Sequence, residues 1–165
     1  AASLHPYGLI LREKDLSDEE YAKLAIEVLK ICQANDVVCF LHSRFHIAKE
    51  LGCQNIHLSV RSLTEQAEEL RYFKNISVSC HSLEDVQEAI AYGATQIVLG
   101  TIFETECKKG LKGRGVAFVR EIADYCRIHG VVPVFAIGGI TPENIGLVKE
   151  AGAKGGCMMS YMMKI

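Results

Sequence analysis

The sequence predicts an α/β fold in which short parallel strands alternate with crossover helices. Three observations carry that expectation. Apolar runs such as Val37 to Leu41, Ile76 to Cys80 and Ile97 to Leu99 show no alternation with polar residues, as strands covered on both faces do not. Between such runs lie segments with helical spacing, the clearest being Tyr21, Leu24, Ala25, Val28, Leu29 and Cys32. Four of the helical segments end in a glycine a few residues before the next strand, at Gly52, Gly93, Gly130 and Gly152. That cadence belongs to right-handed β-α-β crossovers.

Taken in order, residues 1–6 carry no pattern. Gly8 to Leu11 reads as a strand whose end is charged, Arg12-Glu13-Lys14-Asp15. Ser17 and Glu20 have the spacing of a capping box and open the first helix. Val37 to Leu41 is the second strand. His46 to Leu51 is a short helix, closed by Gly52 in a left-handed cap. Ile56 to Leu58 is a brief strand, and Ser62-Leu63-Thr64-Glu65 reads as a second capping box opening a helix to Phe73. Ile76 to Cys80 follows as a strand, and Ser82 caps a helix with Val86, Ala89 and Ile90 inward. After the strand at Ile97, Val116 to His129 is helical and Val131 to Ile137 is a strand. Thr141-Pro142 starts a helix with a threonine cap and proline at its first position, and Gly155 to Ser160 is the last strand. Seven strands and six helices fit either an open doubly wound sheet or a trimmed eight-stranded barrel.

The totals narrow the function. A chain of 165 residues suffices for one domain with a sizeable core, and its net charge of -2 exerts no general pull on nucleic acid or anionic membrane. No apolar run reaches membrane-spanning length. The seven cysteines are irregularly spaced with no C-x-x-C, which reads as reduced thiols of a cytoplasmic protein, without a zinc site.

Chemistry concentrates where strands end. Ile97-Val98-Leu99-Gly100 runs into a basic, glycine-punctuated loop that reaches Gly115. Val134 to Ile137 runs into Gly138-Gly139, and the last strand ends on Ser160. Small residues at strand ends let backbone N–H groups approach an anion, so Gly138, Gly139 and Ser160 are candidate phosphate contacts. Arg12 and Lys14, two apart, project to one side of their strand end. His42 and His81 each follow a strand and are candidate proton carriers. His57 and His129 read as structural. Cys107 lies in the basic loop with no oriented base evident nearby.

Arg12-Glu13-Lys14-Asp15, Ser79-Cys80-His81-Ser82, the G-x-x-F-x-T run from Gly100 to Thr105, Ala136-Ile137-Gly138-Gly139-Ile140-Thr141 and Met159-Ser160 together resemble the thiamine phosphate synthase/TenI superfamily. The resemblance covers the chain from Gly8 onward. It implies a (β/α)8 TIM barrel, here a single partial domain over 1–165 with the first β-α unit and the closing helix missing. It also implies thiamine biosynthesis, with thiazole phosphate as ligand. Synthases of this superfamily join a pyrimidine diphosphate to the thiazole phosphate with Mg²⁺ help, and TenI-type relatives tautomerise the thiazole phosphate. Ser79, Thr101, Thr105 and Lys108 fall where the family contacts substrate, Lys108 with a catalytic part in handling the pyrophosphate.

The departures decide the branch. Ile10 stands where synthases carry a glutamine. His42 and Ser43 stand where they carry Asn-Asp, and Ser62 stands where they carry a second metal aspartate. The expectation is therefore no protein metal site, with Mg²⁺ relevant only to a retained synthase activity. Phe103 to Leu111, followed by Gly113-Arg114-Gly115, is similar to the TenI-type loop, although Thr101 replaces the tautomerase histidine. The reading is closer to the TenI branch, with His81 or His42 as the substitute base. The alternative is a non-catalytic or regulatory phosphate-ligand binder. Neither nucleic acid nor membrane is a partner in this reading, and a homodimer is compatible with it.

Overall fold

The computed structural model describes residues 6–105, 110 and 112–164. Among them are seven strands and six α-helices: β1 (Gly8–Leu11), α1 (Asp18–Ala34), β2 (Val38–His42), α2 (Phe45–Glu50), β3 (Asn55–Ser59), α3 (Val60–Glu65), β4 (Asn75–Cys80), α4 (Leu83–Ala91), β5 (Gln96–Gly100), α5 (Gly115–His129), β6 (Val134–Ile137), α6 (Ile145–Glu150) and β7 (Gly155–Cys157). Two compact units divide the chain, Ala1–Ser77 and Val78–Ile165, and β4 carries it from one to the other.

In the first unit β1, β2 and β3 are parallel neighbours in chain order, with Leu11 beside Leu41 and His42 beside His57. Helix α1 starts at the expected capping box: the Glu20 N–H donates to Ser17 Oγ at 3.3 Å, and the Ser17 N–H donates to the Glu20 carboxylate at 3.0 Å. Its inner face buries Tyr21, Ala25 and Cys32. The Tyr21 hydroxyl then does a second job. It donates to the Leu11 carbonyl at 2.9 Å and accepts from the His42 N–H at 3.2 Å, pinning the ends of β1 and β2 to one helix. Burial raises this phenol to about 12, so it remains a protonated donor.

The second capping box does not form. Ser59, the last residue of β3, caps α3 instead by accepting from the Ser62 N–H at 3.1 Å. Because Ser59 takes that N–H, the helix begins on the strand's heels at Val60. It ends at Glu65, and a 3₁₀ segment, Ala67–Tyr72, completes the connection.

In the second unit β5, β6 and β7 are parallel and again neighbours in chain order. Strand β5 is buried along its whole length, Ile97, Val98 and Leu99 on successive faces, as its unbroken apolar run required. Ser82 caps α4, accepting from the Asp85 N–H at 3.1 Å. Three boundaries differ from expectation. Strand β6 starts at Val134, because the chain turns at Val131 (φ 53°), whereas Gly130 is extended at φ -179°. Helix α6 starts at Ile145: the Asn144 side chain accepts from the Thr141 N–H at 2.9 Å and donates to the Gly139 carbonyl at 2.8 Å, so this turn replaces a threonine cap. Strand β7 stops at Cys157, leaving Ser160 exposed in a turn beyond it.

Gly52, Gly93 and Gly152 end their helices with positive φ, as the cadence of glycines implied. Cys32, Cys39 and Cys53 in the first unit, and Cys80 and Cys126 in the second, are buried free thiols. Among the described residues no helix is long and apolar enough to cross a membrane.

Candidate active site

The second unit gathers most of the expected site residues at the ends of β4, β5 and β6. Strand β5 ends at Gly100, and the chain from Thr101 to Glu104 lies directly on Gly138 and Gly139. The Ile102 N–H donates to the Ile137 carbonyl at 2.9 Å, and the Phe103 N–H to the Gly138 carbonyl at 3.0 Å. A Cβ on Gly138 would stand 2.5 Å from Thr101 Cγ2 and 3.0 Å from Thr101 Cα, with φ at +100°. The glycine pair therefore has a structural duty, to let two loops close on each other. Gly138→Ala is expected to destabilise the chain by about 3 kcal/mol in urea denaturation, through clash and left-handed strain together. Gly146→Ala is the control, since nothing lies within 4 Å of its added Cβ. Its effect should be neutral or slightly stabilising.

His81 is held through both backbone and side chain. Its backbone N–H donates to the Asp85 carboxylate at 2.6 Å, and its backbone carbonyl accepts from the Arg114 guanidinium at 2.5 Å. Its Nδ1 stands 2.8 Å from the Gly100 carbonyl oxygen. A carbonyl only accepts, so Nδ1 must carry the proton, and in the neutral ring Nε2 is left with its lone pair. This is the arrangement of an oriented proton acceptor. Ser79, two residues earlier in β4, is half-buried, and so are Thr101 and Thr105. Ser160 is exposed, three residues past the end of β7 rather than at it. Lys108 and Cys107 lie outside the described residues.

The first unit builds a different cluster. Arg12 and Lys14 are exposed just beyond β1. His42 and His57 are paired residues of β2 and β3, their rings 5.7 Å apart and tilted by 37°. Burial, then the nearby charges of Arg12 and Lys14, push the His42 imidazole down to about 4. Burial, His42 and Arg12 push His57 down to about 3. His57 Nδ1 lies 2.8 Å from Ser77 Oγ. Both rings are neutral at pH 7, and His42 is thereby a weak base. His57, read as merely structural, is the partner of a site candidate. The signal was there only in the register, since two histidines fifteen positions apart become neighbours when β2 and β3 pair.

A magnesium site, which the resemblance to synthases brings into question, finds unsuitable donors here. Mg²⁺ prefers carboxylate and water oxygens. The positions concerned hold an imidazole and hydroxyls, at His42, Ser43 and Ser62, and the charges beside His42 are those of Arg12, Lys14 and Arg44. Among the described residues no group of three or more His, Cys, Asp or Glu side chains could hold a metal ion. The residues do not fit the ion. An open cleft of about 510 Å³ in the first unit, lined by Cys32, Cys39 and Cys53, includes none of the expected site residues.

Comparison with known proteins gives these positions a context. The family model described as thiamine monophosphate synthase matches residues 6–162. A thiamine-phosphate synthase of Fusobacterium nucleatum is 31% identical over 155 residues, 93% of this chain and 73% of that protein. One from Prochlorococcus marinus is 30% identical over 154 residues, but the chain spans only 43% of its length. A solved thiamine phosphate pyrophosphorylase from Pyrococcus furiosus superposes with a TM-score of 0.79 at 24% identity, covering 96% of this chain and 75% of that one. At that identity the likeness is one of fold: an α/β fold of parallel strands with helical crossovers.

Proposed function

The chain belongs to the thiamine monophosphate synthase family, and from that premise we propose that it binds a thiazole phosphate at the strand ends of its second unit and tautomerises it. The observation that carries the reading is His81, whose Nδ1 rests on the Gly100 carbonyl at 2.8 Å. The phosphate lies against the backbone of Gly138 and Gly139, with the Ser160 hydroxyl beside it; Lys108 joins on the strength of the sequence alone. His81 Nε2 takes a proton from the thiazole ring, and the resulting imidazolium returns it at another ring atom. The ring's bonding electrons shift to suit, nothing is oxidised or reduced, and no step runs through a metal. In the first unit, Arg12 and Lys14 give β1 a cationic end suited to a phosphate or diphosphate. His42, held neutral, serves there as a hydrogen-bonding group rather than as the base.

The second reading is transfer, in which a pyrimidine diphosphate loses pyrophosphate and the thiazole nitrogen bonds to the carbon left behind. The names of the relatives, thiamine-phosphate synthases, favour it. One experiment separates the two. The protein is incubated with thiazole phosphate in deuterated buffer containing EDTA, and ring-proton exchange is followed by NMR. A parallel sample receives the pyrimidine diphosphate and Mg²⁺, and thiamine phosphate is measured. Exchange without thiamine phosphate is the expected result. Thiamine phosphate formation that Arg12→Ala abolishes would establish transfer instead, and binding with neither reaction would identify a ligand-binding protein.

A further inference from the structure

We infer that Arg114 is a positioning residue for His81, a role that rests on the reading of His81 as the proton carrier. Arg114 immediately precedes α5 and makes three attachments. Its guanidinium donates to the His81 carbonyl at 2.5 Å. Its own N–H donates to the Thr101 carbonyl at 3.0 Å. The guanidinium carbon lies over the Phe118 ring, 3.7 Å from its centroid, one turn into α5. A flat cation stacked on a buried ring loses little further freedom when it makes a hydrogen bond, so the contact to His81 is preorganised.

The attachments converge on one outcome. The His81 N–H is held by Asp85 and the His81 carbonyl by Arg114, so the backbone on both sides of the Cα is fixed. The ring is then left with the Gly100 carbonyl as its Nδ1 partner. The backbone N–H of Arg114 holds that carbonyl's neighbour, Thr101, so acceptor and ring are tied to the same residue, the ring side through the guanidinium. Remove the guanidinium, and the His81 carbonyl loses a charge-assisted hydrogen bond while the loop keeps its sequence. The ring can then rotate away from Gly100, and the proton redistributes between Nδ1 and Nε2. Arg114 never touches the reacting atoms in this account; it sets which nitrogen faces them.

The test uses Arg114→Ala, Arg114→Lys and Phe118→Leu in the full chain. The first readout is the tautomer of His81 by ¹⁵N NMR of the histidine rings in the protein without ligand. The second is kcat and KM for ring-proton exchange on thiazole phosphate. The Nδ1–H form should dominate in the parent and give way to a mixture in Arg114→Ala. That variant should lose about tenfold in kcat with KM within about twofold, as expected when orientation and not binding is lost. Arg114→Lys should recover part of both, and Phe118→Leu should resemble a weakened Arg114→Ala. An unchanged His81 tautomer in both Arg114→Ala and Phe118→Leu would overturn the proposal. Should Arg114→Ala fail to fold, Phe118→Leu and Arg114→Lys decide alone by the same spectrum. A parent protein without exchange activity would sink the proton-transfer reading, whereas the NMR result would still stand or fall separately.

Discussion

His81→Gln is expected to lower kcat for proton exchange on thiazole phosphate by about 10²- to 10⁴-fold, the usual share of a positioned acid–base group. Glutamine keeps a donor able to reach the Gly100 carbonyl, now 2.8 Å from Nδ1, so the loop's geometry is largely preserved. What glutamine lacks is a nitrogen that takes up and gives back a proton. Binding should survive, since the glycine loops do not depend on the ring, and KM should move by less than about threefold. His42→Gln is the informative companion. Its imidazole is held down to about 4 by burial and by Arg12 and Lys14, so it is a poor base at pH 7 and its loss should cost little turnover. Equal damage from both variants, or none from His81→Gln, would remove His81 from the chemistry. The assay is the deuterium exchange already described, run with each variant at saturating and limiting ligand.

The second large effect is on stability and follows from the histidine pair of the first unit. His42 and His57 are depressed in the folded chain to about 4 and about 3, against an ordinary value of 6.5. A depressed folded value means that the unfolded chain binds protons the folded one refuses. The stabilisation is thus complete above pH 6.5 and drains away as pH falls toward 4 and then 3. For His57, which is 5% exposed, the loss between pH 6.5 and pH 4 is about 3 kcal/mol. Because His42 contributes to the depression of His57, the two losses do not simply add. Urea midpoints measured from pH 7.5 to pH 4 should fall steeply in the parent. They should fall less in His57→Gln, whose amide can still meet Ser77 without ever charging. Parallel curves for the two proteins would show that the pair does not govern acid stability.

Much of this architecture was legible in the residues. Unbroken apolar runs gave buried parallel strands, and Ser17 with Glu20 gave a capping box that the geometry reproduces. Where expectation failed, a nearby side chain offered the backbone a competing partner. Ser59 took the Ser62 N–H, so Ser62 did not cap α3. Asn144 folded back on Thr141 and Gly139, and α6 began later than Thr141-Pro142 suggested. Such contests are settled by tenths of an ångström that spacing alone does not encode. The candidate site was half legible for a related reason. His81, Gly138 and Gly139 stood out as candidates by following strands. Arg114 looked like one more cation of a basic loop, because its stacking on Phe118 and its reach to His81 exist only once β4, β5 and α5 are in place. His57 hid in a strand until register set it beside His42.

The buried thiols have a practical consequence. Cys32, Cys39 and Cys53 in one unit, and Cys80 and Cys126 in the other, are each no more than 6% exposed. Burial also pushes all five thiols upward, Cys126 to about 11, so the reactive thiolate is scarce as well as shielded. With so little surface on each sulfur-bearing residue, alkylation is fastest during transient opening, and each labelled peptide then acts as a clock for its own half of the chain. Iodoacetamide pulses read by peptide mass spectrometry should therefore time the two sets independently. Coincident rates would mean that the protein opens as one cooperative body. Separate rates would mean that one half breathes while the other stays shut.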